Sequence, residues 1–154
     1  MLPLDVSFGI FILHPLGWLF MAIVIFGEAF LMSRYLTHKN HDSRVYLSAV
    51  SSNAVSGLIG IIISMILTGG WWLVVWFPWV SSNEVDIHDP IQWKVLVIYY
   101  LAALVLSILI ELLINYLILK KRYTFKSVFN ATLKANGFSY ALGAIVITLL
   151  VCLL

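Results

Sequence analysis

The feature that most restricts this chain is a carboxylate that occurs twice in the same apolar setting. Glu28 is followed by Asn53, Ser56 and Gly60, and Glu111 by Asn136, Ser139 and Gly143; a shift of 83 positions superimposes the two sets without a gap. A Glu within a hydrophobic run is costly by several kcal/mol when charged, so each must be brought against polar partners. Asn53, Ser56 and Gly60 fall at i, i+3 and i+7, one face of a helix, and Asn136, Ser139 and Gly143 repeat that face. The chain is therefore expected to fold as two similar units that turn these faces inward.

Composition decides what surrounds them. The 154 residues are 62% hydrophobic and only 10% charged, whereas a soluble domain carries about 25% charged residues. Crossing a bilayer takes roughly 20 apolar residues. Four runs meet that length: Phe8–Met32, Val45–Leu67, Gln92–Leu119 and Val128–Cys152. Backbone groups in lipid must pair within their own segment, so each run is predicted to be a helix. The N-terminus has no basic region before its apolar run, which reads as a retained spanning helix and not a signal peptide. The expected fold is an all-α membrane protein, a four-transmembrane-helix bundle in one domain over 1–154. Its repeats cover about 8–68 and 92–154, joined by a connection at 69–91.

Charge sets the expected orientation. Seven of the nine basic residues lie in or beside two short loops: Arg34, Lys39 and Arg44 at 33–44, and Lys120, Lys121, Arg122 and Lys126 at 120–127. The N-terminus and the middle connection carry Asp5, Glu84, Asp86 and Asp89. The positive-inside rule puts both basic loops in the cytoplasm and both termini outside, in a bacterial cytoplasmic (inner) membrane. The middle connection also holds Trp71, Trp72, Trp76 and Trp79, four of the six tryptophans. Amphipathic rings favour the headgroup region, so this reads as an outer interfacial segment, an anchor that can also offer a docking surface.

Depth puts the polar residues together. Glu28, Glu111 and Asn53 each lie on the order of 9–14 Å in from the cytoplasmic boundary at 1.5 Å per residue. Glu and Asn of one half can therefore bond across antiparallel neighbours. The bland reading of this intramembrane set is packing glue, with Gly60 and Gly143 letting helices approach. Such bonds contribute only around 0.6 kcal/mol on average, little against a charged carboxylate. Lys134 aligns with Ser51 and is expected to join the polar core by reaching Glu111, giving one half an ion pair.

Other chemistry is weakly supported. His38, His41 and Asp42 crowd the first loop, where solvated polar residues are the ordinary explanation. Cys152 is the single cysteine, so disulfide and thiolate-metal frameworks fall away. There is no nucleophile–base pairing, no phosphate-cradling glycine loop and no metal-ligand spacing. No cofactor, metal or nucleic acid is expected; the basic loops meet anionic lipid.

The pattern Glu, basic loop, Asn-x-x-Ser-x-x-x-Gly resembles a group of small bacterial membrane proteins that carry such a hairpin once or twice. The first half, from Gly27-Glu28-Ala29 to Asn53-Ala-Val-Ser56-Gly-Leu-Ile-Gly60, is similar to cyanobacterial filament-integrity membrane proteins, which are associated with septal junctions. The resemblance covers about one hairpin. It implies a non-enzymatic membrane component working with a protein partner or as a homo-oligomer. The leading expectation is thus an interaction or assembly protein. The alternative is a small proton- or cation-handling transporter or channel using Glu28 and Glu111.

Overall fold

The computed structural model describes residues 15–68 and 90–153. They form four α-helices and no strand: α1 Pro15–Thr37, α2 Ser43–Thr68, α3 Pro90–Leu119 and α4 Phe125–Leu153. The chain is an all-α bundle. Trp71, Trp72, Trp76, Trp79 and residues 69–89 of the expected interfacial connection lie outside the described residues, as does the start of the first apolar run; Pro90 and Ile91, expected in that connection, belong to α3.

Helix ends depart from the apolar runs because capping, not hydrophobicity, stops a helix. The run in α1 ends at Met32, yet the helix continues to Thr37. His38 then takes a left-handed backbone (φ 57°), and its N–H donates to the Arg34 carbonyl at 3.1 Å. That is the single-bond left-handed C-cap, here made by a residue other than glycine. Asp42 starts α2 by accepting the backbone N–H of Arg44 (3.0 Å) and of Val45 (3.2 Å), and Thr124 does the same for Ser127 ahead of α4 (3.3 Å). Such side-chain caps satisfy the orphan donors of a first turn. The expected loop at 33–44 thus shrinks to 38–42, and that at 120–127 to 120–124.

Each helix packs on two neighbours: α1 on α2 and α4, and α3 on α2 and α4, with no close diagonal pair among the described residues. This is the arrangement of an antiparallel bundle with short turns. The two turns share one end, where the Arg122 guanidinium comes within 4.0 Å of the Asp42 carboxylate. Seven of the nine basic residues belong to that end.

Among the residues whose burial is described, the fully buried ones lie in the turn-proximal half, within 28–52 and 111–139. The apolar core there is small-residue rich: Ala29, Met32, Val45, Ala49, Leu119, Val128, Ala131 and Ala135. Alanines and serines at a crossing let backbones approach closely. Burial also follows the internal repeat, since Glu28 and Glu111, Met32 and Asn115, Val45 and Val128, Ala49 and Thr132 are buried in register. Many large apolar side chains face outward along the helices, among them Phe26, Leu58, Ile98, Leu109 and Ile145.

Candidate functional site: a buried carboxyl–amide axis

Glu28 and Glu111 stand on the diagonal helices α1 and α3, each only 2% exposed. Asn53, one helix over, donates from Nδ2 to Glu28 Oε2 at 2.8 Å. Asn136 donates to Glu111 Oε2 at the same 2.8 Å. The second amide hydrogen of each Asn goes to its own helix, to the Ala49 carbonyl (3.0 Å) and the Thr132 carbonyl (3.2 Å). Each hairpin therefore closes with one Glu–Asn clasp.

The serines cross between hairpins. Ser56 Oγ, from the first, donates to Glu111 Oε1 in the second at 3.0 Å. In the opposite sense the Glu28 carboxyl faces Ser139 and the Glu111 carboxyl itself. Ser56 and Ser139 also meet the carbonyls of Asn53 (3.1 Å) and Asn136 (3.0 Å) within their helices.

One turn nearer the basic end lies a residue that inspection of the repeat overlooks. Asn115 is fully buried; its Oδ1 accepts Ser48 Oγ at 2.7 Å, and its Nδ2 donates to Thr132 Oγ1 at 3.2 Å. The same Nδ2 approaches Met32 Sδ at 3.7 Å. Asn115 thus joins all four helices. Met32 and Asn115 are 83 positions apart. Equivalent positions of two copies can touch only where the axis relating them passes, so this contact marks that axis. The signal was an Asn inside the most apolar run, but its counterpart is Met32, so matching the halves hid it. Ser48, Ser107 and Thr132 were hidden likewise, each matched by a residue that cannot hydrogen-bond through its side chain: Ala131, Val24 and Ala49.

The two carboxyls are not equivalent. Glu111 Oε1 also accepts Ser107 Oγ at 2.9 Å, whereas position 24 in the first half is Val. Glu111 thus has three donors: two hydroxyls and an amide. Asn136 Oδ1, at the same cluster, is the buried side-chain atom without a hydrogen-bond partner among the described residues.

Two expectations need correction. Lys134 does not reach Glu111: it is exposed, and its ammonium sits 4.0 Å from the centroid of the Tyr35 ring. It is one position off the buried stripe of Ala131, Thr132, Ala135 and Asn136, which turns its stem out of the core; the long chain then takes its charge to an aromatic face. Gly60 is not a packing contact, because a Cβ there would meet open space. The position equivalent to Tyr100, which packs against Gly143, is Gly17, with no side chain to bring against Gly60. Gly143 does mark a close approach: a Cβ would lie 2.7 Å from the Tyr100 hydroxyl, which donates to the Tyr140 carbonyl at 2.5 Å. In the first half the tight glycine is Gly27, against the Phe138 ring.

The first-turn cluster resolves into local structure. Asp42 is a helix cap, the His41 ring packs on Tyr46 at 4.4 Å, and no group of three metal-ligating side chains forms among the described residues. No family model, curated protein or solved structure matches this chain.

Proposed function

We propose that the protein is a non-enzymatic integral membrane protein, a structural and interaction component of a membrane complex. Its helices cross the bacterial cytoplasmic membrane with both termini outside and the two basic turns in the cytoplasm. The observation that carries this is the use made of the polar groups. Carboxyls, amides and hydroxyls at the axis are bonded to one another across helices, while large apolar side chains cover the outside. Two stretches, Leu19–Thr37 and Tyr100–Leu119, are long and apolar enough to span, and only 28% and 17% of them is buried. A soluble core helix would bury far more of such a surface. The gathering of seven basic residues at one end supports the orientation. The resemblance to septal-junction membrane proteins supports a role with partners, either a second copy or another protein.

The second reading, proton or cation handling, draws on the unpartnered Asn136 Oδ1 beside two facing carboxyls. Like charges in contact disfavour double ionisation, so such a pair can hold a proton or cation between them. Reconstitution separates the readings. Protein in liposomes should give no proton or cation flux, and in mild detergent it should run as an assembly larger than one chain. Flux that disappears with Glu28→Gln would overturn the first reading in favour of the second.

A further inference from the structure

At the basic end, between α1 and α4, the surface opens into a groove of about 590 Å³, within the size range of small-ligand sites. Arg34, His38 and Lys134 line it, with the hydroxyls of Tyr123 and Ser127, and no acidic residue does. Lys134 has a ring for a partner and no carboxylate. Arg34 uses Nη1 on the Asn40 side-chain carbonyl at 2.8 Å, which leaves other guanidinium donors free. The cations thus converge without an anion among the described residues. Leu31, Leu36 and the Tyr35 ring complete the lining. A groove that is cationic at its rim and apolar in part fits an amphiphile with an anionic head.

The internal repeat sharpens the case. The equivalent positions on the α2–α3 face put Ser51 opposite Lys134 and Leu117 opposite Arg34, but Lys121 opposite His38 and Arg44 opposite Ser127. Both faces thus carry cations near the turns, and the α1–α4 groove alone adds a lysine further along a helix, at position 134. A general attraction of basic turns to a negative surface would not need that deeper lysine. Lys134 lies about 13 Å along α4 from Phe125, and a lysine that far into a spanning helix is costly unless its long chain carries the ammonium back toward the headgroup level, where an anion can meet it.

We propose that this groove binds the phosphate of an anionic phospholipid, held between Arg34 and Lys134 with the acyl chains lying along α1 and α4. The inference rests on the membrane reading above. Carbonate extraction of the full-length protein tests that reading separately: release from the membrane fraction would sink it without reference to lipid. The inference itself is tested with detergent-purified protein titrated with dioleoyl-phosphatidylglycerol, dioleoyl-phosphatidylcholine or inorganic phosphate, with thermal unfolding as the readout. Phosphatidylglycerol should raise Tm more than phosphatidylcholine, and inorganic phosphate at the same concentration should do nothing. Charge-assisted contacts to phosphate are strong, so Lys134→Gln and Arg34→Gln should each weaken the lipid response by about tenfold. Lys134→Arg should preserve most of it. Lys121→Gln, which removes the same charge outside the groove, should leave it intact. An equal loss in Lys121→Gln would overturn the site in favour of diffuse attraction. An equal response to inorganic phosphate would overturn the lipid assignment.

Discussion

Removal of Asn115 tests the axis most directly, because this side chain joins four helices and no backbone depends on it. Asn115→Ala deletes a 2.7 Å bond from Ser48, a 3.2 Å bond to Thr132 and the sulfur contact to Met32. Interhelical bonds in membranes average about 0.6 kcal/mol and reach about 1.7, so the two oxygen bonds contribute roughly 1–2 kcal/mol. The site is fully buried, and the void left by the amide adds to the cost, for a total of about 2–3 kcal/mol. Relaxation is limited: Ser48 can turn its hydroxyl to its own helix, but Thr132 has lost a donor. Asn115→Met gives the axis the residue already present at position 32, refills the volume and forfeits only the bonds, so it should cost about 1–2 kcal/mol. The expected order is wild type, then Asn115→Met, then Asn115→Ala. Equilibrium unfolding in mixed micelles, followed by tryptophan fluorescence, measures it. Thr148→Ala is the control, since among the described residues its exposed hydroxyl bonds the Ala144 carbonyl in its own helix, and it should change stability by less than about 0.5 kcal/mol. If Asn115→Ala is as stable as wild type, or Asn115→Met more stable, the buried amide does not hold the bundle and the reasoning fails.

Two further outcomes follow from the same geometry. Glu111→Ala strands three donors where Glu28→Ala strands the Asn53 amide and the facing Ser139, so it should be the more destabilising in the same micelle titration by about 1 kcal/mol; equal costs would show that the extra hydroxyl at Ser107 contributes nothing. Gly143→Ala should cost about 1 kcal/mol, because Tyr100 must swing away and give up its bond to the Tyr140 carbonyl. Gly60→Ala, facing open space, should be neutral or stabilise by up to about 1 kcal/mol, and the two glycines behaving alike would contradict the packing.

The four helices were legible because apolar run length and basic loops are strong, local signals. The Glu28–Asn53 and Glu111–Asn136 bonds were legible from depth alone, since a helix converts residue count into height. Rotation about each helix was not. Lys134 lies two positions from Asn136, and a sequence that fixes its height leaves open that it faces a Tyr35 ring outside the core. Gly60 failed for a related reason: a glycine marks a close approach only if the neighbour supplies something to approach, and Gly17 does not. Asn115, Ser48 and Thr132 were not legible from the repeat, because they are where the halves differ.

Those differences have a common logic. A duplicated lock could place the same residue on its axis twice, as Met with Met or Asn with Asn. Here the environment admits only one Asn. The groups that satisfy Asn115, the hydroxyls of Ser48 and Thr132, have as their counterparts around Met32 the methyls of Ala131 and Ala49, both buried. An amide at position 32 would find no hydroxyl at either place, and an unmet buried amide costs more than a made bond contributes. The apolar side of the axis is therefore as specific as the polar side. Ser107 deepens the same imbalance by giving Glu111 a donor that Glu28 lacks. Polarity has been gathered onto the second hairpin's carboxyl, while the first hairpin contributes a hydroxyl from Ser48 and another from Ser56. Each hairpin supplies what the other cannot, and that dependence specifies their pairing with one another over pairing of like with like.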